Sequence, residues 1–147
     1  MRIAPKFIRT AALVALAAVP SLAQAQQREA IGRSTATLTQ AIRVGNMVYA
    51  SGALPTGGAN ADTTIQGQTR SALGNIKTTL ELAGTTMQNA VKCTVFLIEG
   101  SDFRGMNEAY AEFWPVAPPA RSTVVVKALV VPNAKLEIEC IAVMPVK

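Results

Sequence analysis

The chain has 147 residues, of which 50% are hydrophobic and 16% are charged, and its formal net charge is +5. This length fits one domain rather than several. The sequence contains no histidine, which excludes Ser-His-Asp catalysis, Cys-His catalysis and the common zinc sites.

The first 25 residues are typical of a secretory signal peptide. Three basic residues precede an apolar run from 11 to 19, and the small-residue pattern Ala23-Gln24-Ala25 follows. The alternative is an uncleaved membrane anchor, but the run is shorter than the ~20 apolar residues that cross a bilayer. We therefore predict cleavage after Ala25 and export to the periplasm or beyond. The domain at 26–147 keeps 11 of the 14 basic residues and all nine acids, a net charge of +2. That charge gives no reason to expect nucleic-acid binding.

The first part of the domain is predicted to form a hairpin. Residues 26–35 lack periodicity and are predicted to be a loose lead-in. Apolar runs at 36–44 and 47–51 flank Gly45-Asn46, and a two-residue link of this type predicts a tight β-hairpin. A loop is predicted from Gly52 to Ala61, where proline and glycine are frequent.

Two helices and a strand are predicted to follow. Apolar residues recur with a helical period after Asp62 or Thr63, either of which could cap the helix, and Gly84 ends it. Residues 91–98 are predicted to be a strand that is covered on both faces. The second helix begins at Ser101 or Asp102 and carries an apolar stripe as far as Pro115.

The last part of the domain is predicted to form two strands. Pro118 and Pro119 fix the backbone before Arg121, and a β-branched run begins after it, so Arg121 should lie where a loop enters a strand. Residues 136–143 alternate and predict the second strand, on which Glu137 faces opposite to its apolar neighbours. Taken alone, Arg121 could be a solvated loop residue, and Glu137 could be an exposed acid or part of a structural ion pair.

Cys93 and Cys140 both lie in apolar, alternating segments. Buried free thiols are the simpler interpretation of this pattern. A disulfide is the alternative, because an exported chain meets an oxidising compartment. We favour free thiols, since a bridge requires Cα atoms within ~7 Å and no local sequence pattern establishes that distance.

The predicted order ββ-α-β-α-ββ indicates an α+β domain with both helices on one face of a mixed sheet. The predicted strands also carry apolar residues on the other face, such as the valines at 124–126. We therefore expect a homo-oligomer that buries the second face.

The sequence resembles the RidA/YjgF family of reactive intermediate (enamine/imine) deaminases from about residue 36 to its end. The resemblance includes 45–52, 68–70, 73–76, 91–97 and 106–107, and its most specific part is Pro119-Ala120-Arg121-Ser122 with Leu136-Glu137-Ile138-Glu139. It implies a chorismate-mutase-like fold and a homotrimer with three clefts between subunits. It also implies a C=N hydrolase similar to 2-iminobutanoate/2-iminopropanoate deaminase, without metal or cofactor.

The resemblance also implies roles for individual residues. The family's arginine, matched by Arg121, binds the carboxylate of a 2-imino acid of the 2-aminoacrylate/2-iminopropanoate type, and water converts the imine to a 2-oxo acid and ammonia. Glu137 matches a glutamate that orients this water or exchanges protons. Asn107 and Gly52 match positions that line the cleft, although Asn107 could equally serve only to bond backbone groups.

Three positions depart from the family pattern: Ala53, where Gln often follows Ser-Gly, and two further cleft positions. Leu38 stands where many members have a tyrosine, and Thr123 stands where a cysteine or another residue lines the pocket. An apolar Leu38 would favour larger, hydrophobic imino acids.

The alternative to an enzyme is a periplasmic trimer that binds a small carboxylate or acts as a holdase. Ribonuclease activity, known for some relatives, fits poorly with export and a charge of +2.

Overall fold

The computed structural model describes residues 27–56 and 62–146, so the predicted signal peptide lies outside the described residues. In chain order the elements are β1 (Arg28–Ser34), β2 (Thr39–Val44), β3 (Met47–Ala53), α1 (Ile65–Leu82), β4 (Ala90–Leu97), α2 (Phe103–Ala111), β5 (Ala120–Val125) and β6 (Leu136–Val143). Short 3-10 turns at Met87–Asn89 and Gly100–Asp102 precede β4 and α2.

The strands form one mixed sheet in the order β1-β2-β3-β6-β4-β5. All neighbours are antiparallel except β4 and β5, which are parallel because α2 provides the crossover between them. Side chains from α1, α2 and alternate positions of the central strands form a single buried cluster. The predicted α+β architecture, a mixed sheet with two helices, is therefore confirmed.

The first helix begins one or two residues later than predicted. Thr64 is its N-cap, and its Oγ1 accepts a hydrogen bond from the amide of Gly67 at 3.0 Å. Asp62 is not the N-cap. Its Oδ1 instead accepts hydrogen bonds from both the amide and the hydroxyl of Thr64. Gly84, with φ of 82°, ends the helix as predicted.

The prediction of a loose lead-in was wrong, because Arg28–Ser34 forms an edge strand. It pairs antiparallel with β2, for example at Ala30 and Ile42. Its side chains are exposed apart from a half-buried Ile31, so its sequence shows no alternation for a pattern to detect. The domain is therefore βββ-α-β-α-ββ, and β3 extends to Ala53 into the predicted loop.

Cys93 and Cys140 form a disulfide, so our preference for free thiols was wrong. The two residues lie directly opposite one another on β4 and β6, with Cα atoms 4.1 Å apart, and both are 1% exposed. Antiparallel pairing brings opposite Cβ atoms close together. The long-range register, which local patterns do not reveal, places the two thiols in contact.

The sheet face opposite the helices is not covered by any described residue of the chain. Tyr49 is 45% exposed and Val124 is 44% exposed on this face, next to half-buried Phe96 and Ile141. Glu137 and Glu139 also point this way, because Leu136, Ile138 and Cys140 alternate with them and are buried beneath the helices. Within the described ranges, no helix is long and apolar enough to cross a membrane.

Candidate functional site

Arg121 is the second residue of β5, and Ala120 alone separates it from Pro118-Pro119, so it lies at the start of a strand as predicted. On the adjacent strand its partner is the buried Cys93. Neighbours across a sheet point to the same face, so Arg121 extends towards the helices and meets α2. The half-buried guanidinium therefore lies between the edge strand and a helix, not in open solvent.

Four residues of α2 contact the guanidinium. Its Nη2 donates to Oδ1 of Asn107 at 2.6 Å, and Nη1 lies 3.8 Å from Sδ of Met106. The guanidinium carbon is 4.6 Å from the ring centroid of Tyr110 and 5.7 Å from that of Phe103. These positions are spaced i, i+3, i+4 and i+7, so they share one face of the helix. We call Phe103, Asn107, Tyr110 and Arg121 the arginine cluster.

The arginine cluster contains a fixed positive charge. None of the described carboxylates forms an ion pair with Arg121. A guanidinium has five N–H donors in a planar fork; Asn107 accepts from Nη2, and Sδ of Met106 accepts a weak bond from Nη1. The remaining donors suit a planar anion such as a carboxylate.

Tyr110 is the least exposed member of the cluster, at 4%. Burial raises the pKa of its phenol to about 12, although the neighbouring charge of Arg121 acts in the opposite direction. The phenol is therefore protonated at neutral pH. Its hydroxyl is buried and finds no hydrogen-bond partner within the described chain.

Thr123 lies two residues after Arg121 and shares its face of β5. Its Oγ1 is also buried without a hydrogen-bond partner among the described atoms. The predicted contact residue Thr123 is thus placed beside Arg121, with an unused hydroxyl.

Glu137 lies elsewhere, on β6, where its carboxylate packs directly on Gly52. A Cβ at Gly52 would overlap Oε1 of Glu137. Gly52 occupies the register shift between Ala50 and Ala53, where β3 departs from regular pairing with β6. The close approach of the carboxylate requires the absence of a side chain at this position.

Leu38 and Gly52 line a groove of about 400 Å³ between β2, β3 and α1. The side chain of Leu38 is 58% exposed at its mouth. The other residues that line the groove are mainly polar and include Arg33, Gln40, Ser51, Asn75 and Thr79. Glu137 is not among the lining residues of the groove, but Gly52 lines the groove and also lies against the Glu137 carboxylate. We call Leu38, Gly52 and Glu137 the glutamate cluster.

The structure brings the predicted site residues together in two groups, not one. Glu137 is opposite Phe96, whose partner on β5 is Val124, three residues beyond Arg121. The two charged groups also point to opposite faces of the sheet. Within one chain, therefore, Arg121 and Glu137 cannot contact the same small ligand.

Sequence reasoning gave no site role to Tyr110 and Phe103, which it placed in the apolar stripe of the second helix and among the residues that resemble the family. Their spacing from Asn107 was the available signal, because i+3 and i+4 neighbours share a helix face. Among the described residues, no group of three or more acidic or cysteine side chains is arranged to hold a metal ion.

The family comparison covers almost the whole described domain. The family model with the description Endoribonuclease L-PSP matches residues 27–144. Reactive Intermediate Deaminase A, chloroplastic, from Arabidopsis thaliana is 40% identical over 109 residues, which cover 72% of this chain and 58% of that protein. A 2-iminobutanoate/2-iminopropanoate deaminase from Dermatophagoides farinae is 38% identical over 112 residues, covering 72% of this chain and 84% of the relative.

A solved structure agrees with these sequence matches. The crystal structure of a YjgF/YER057c/UK114 family member from Mycobacterium tuberculosis superposes with a TM-score of 0.72 at 28% identity. It covers 80% of this chain and 100% of that one. Sequence similarity and three-dimensional similarity point to the same assignment, and the chain belongs to the RidA/YjgF family.

Proposed function

We propose that this protein hydrolyses reactive 2-imino acids and their enamine tautomers to 2-oxo acids and ammonia. The observation that carries the proposal is the guanidinium of Arg121, which α2 orients and no described carboxylate neutralises. Family membership supports the reaction class, and one relative is named as a deaminase of 2-iminobutanoate and 2-iminopropanoate.

In the proposed reaction, Arg121 binds the substrate carboxylate through paired charge-assisted hydrogen bonds. Water adds to the carbon of the C=N bond, and a proton moves to the nitrogen, giving a tetrahedral amino alcohol. The hydroxyl proton of this intermediate then moves to the amino group, the C–N bond breaks, and ammonia leaves the 2-oxo acid behind. Glu137 orients the attacking water or exchanges these protons, for which a half-buried carboxylate is suitable.

A site that uses both charged residues needs two chains. Because Arg121 and Glu137 point to opposite faces of the sheet, we propose that each cleft takes the arginine cluster from one protomer and the glutamate cluster from its neighbour. The uncovered apolar face with Tyr49 and Val124 supplies a surface for this association. A homotrimer with three such clefts is the assembly that we propose.

We further propose that the protein acts in the periplasm or outside the cell, after cleavage behind Ala25. The charged, apolar and small-residue order of the first 25 residues supports export. The family model carries the name of an endoribonuclease, but a mature net charge of +2 without a basic cluster favours a small anionic substrate over RNA.

The test generates imino acids in situ with an amino-acid oxidase and measures the rate of 2-oxo acid release with and without the purified protein. We expect acceleration that Arg121→Ala abolishes. Arg104→Ala is the matched control, because this exposed arginine on α2 pairs only with Glu108 among the described carboxylates.

The other outcomes of the same assay identify the alternatives. Carboxylate binding through Arg121 without acceleration would contradict the enzyme and indicate a binding module. Protection of unfolded proteins from aggregation, equal in wild type and Arg121→Ala, would indicate a holdase.

A further inference from the structure

The aromatic ring of Tyr110 lies directly against the guanidinium of Arg121. The ring centroid is 4.6 Å from the guanidinium carbon, closer than the ring of Phe103 at 5.7 Å. A guanidinium over an aromatic face is attracted by the negative potential of the ring, and the attraction is strongest where water is excluded. Tyr110 is almost fully buried, so its contact with the guanidinium is shielded from water.

We propose that Tyr110 is a positioning residue whose ring face sets the plane of the Arg121 guanidinium, while its hydroxyl takes no part in the reaction. Asn107 fixes one nitrogen at 2.6 Å, and the ring restricts rotation about that hydrogen bond. Together the two contacts direct the remaining N–H groups towards a ligand. The inference rests on the proposed role of Arg121 as the carboxylate-binding residue.

The ring of Tyr110 is itself held by a second aromatic residue. Trp114 packs on it with centroids 4.7 Å apart and planes inclined by 35°. The Nε1–H group of Trp114 donates to the backbone carbonyl of Met87 at 2.7 Å. A rigid series of contacts therefore runs from the turn before β4 through Trp114 and Tyr110 to Arg121, and it limits the movement of the ring.

The hydroxyl of Tyr110 has no partner within the described chain. Burial also keeps it protonated, with a pKa of about 12. A group that is buried, protonated and unpaired is poorly suited to accept or relay a proton near neutral pH. The ring and the hydroxyl can therefore be separated experimentally by replacing tyrosine with phenylalanine.

The experiment compares Tyr110→Phe and Tyr110→Leu in the complete protein. Binding of pyruvate is measured by calorimetry, and kcat and KM are measured for imine hydrolysis. We expect Tyr110→Phe to remain within about twofold of wild type, and Tyr110→Leu to weaken pyruvate binding and raise KM by about tenfold with a smaller change in kcat. Ile76→Val, a fully buried position on α1, is the control that lowers Tm without changing pyruvate affinity.

Two results would overturn the proposal: equal losses in Tyr110→Phe and Tyr110→Leu, or pyruvate binding by Tyr110→Leu at wild-type affinity. Should Tyr110→Leu not fold, the Nε–H resonance of Arg121 in wild type and Tyr110→Phe decides. Stacking predicts an upfield ring-current shift in both, and its absence contradicts the inference. Failure of the proposed enzyme is distinguishable, because pyruvate binding would still depend on the ring while imine turnover was absent.

Discussion

The position of Arg121 depends on its own segment of sequence, and the orientation of its guanidinium depends on a helix elsewhere in the chain. Two prolines and a β-branched segment place it at a strand entrance, and α2 then orients its guanidinium through Asn107 and Tyr110. An arginine without these contacts would be a flexible surface cation. The contacts make it a directed one, as recognition of a planar carboxylate requires.

Gly52 is the residue at which a single methyl group should be most damaging. In Gly52→Ala the new Cβ would occupy the position of the Glu137 carboxylate, so we expect Glu137 to be displaced and kcat for imine hydrolysis to fall by at least about tenfold. The control is Gly74→Ala on α1, where the added Cβ meets nothing within 4 Å.

Gly74→Ala should keep the wild-type kcat. Its free energy of unfolding should rise by roughly 0.5–1 kcal/mol, because alanine is more stable than glycine inside a helix. Steady-state kinetics and thermal unfolding of both variants provide the measurement. An unchanged kcat in Gly52→Ala would show that the position of Glu137 does not matter for turnover.

Leu38 is expected to influence the choice of substrate side chain. It offers an exposed apolar wall to the groove that Gly52 also lines. We therefore expect kcat/KM to be higher for the imine derived from leucine than for that from alanine, by about threefold or more, and the preference to decrease in Leu38→Ala. Equal or faster turnover of the smaller imine by the wild-type protein would contradict this expectation.

At the scale of elements, the two helices and the hairpin were predictable because each carries its own periodic pattern or turn. The edge strand β1 was not, since its exposed side chains show no alternation and its position depends on backbone pairing with β2. The start of α1 also differed from the prediction, but for a local reason. Asp62 has the composition of a cap, but it bonds Thr64, which then caps the helix.

The disulfide between β4 and β6 should stabilise the sheet at the row that contains Arg121. Its two cysteines are separated by 47 residues, for which chain entropy suggests a contribution of about 4 kcal/mol to the free energy of unfolding. We expect the Cys93→Ala/Cys140→Ala double variant to unfold at a lower urea concentration, with a free energy of unfolding lower by about 4 kcal/mol.

Urea unfolding of the oxidised wild type, the reduced wild type and the double variant provides the measurement. The reduced protein should behave like the double variant. A midpoint that does not change on reduction would mean that the bridge is absent or without effect in solution.

At the scale of the whole molecule, the proposed two-chain site makes a quantitative prediction. Arg121→Ala and Glu137→Gln, each inactive alone, should regain about a quarter of the wild-type rate per protomer when they are coexpressed as mixed trimers. The reason is that one cleft in four then combines an intact arginine with an intact glutamate from the neighbour.

Coexpression of the Arg121→Ala/Glu137→Gln double variant with wild type is the control. It should also leave about a quarter of the clefts active if each cleft spans two chains, and about half if each lies within one chain. Light scattering of the same samples establishes the number of protomers. Mixed trimers without recovered activity would exclude a shared cleft.

The sequence by itself determined the α+β order of its main elements, the position of Arg121 at the start of a strand, and the family to which the chain belongs. These features depend on short segments, in which turn residues, caps and periodicity act over a few positions. The tertiary structure decided that Cys93 and Cys140 are joined, that the ring of Tyr110 packs against the guanidinium, and that Arg121 and Glu137 point to opposite faces. Each of these follows from strand register and helix packing, which join residues far apart in sequence and so leave no local pattern.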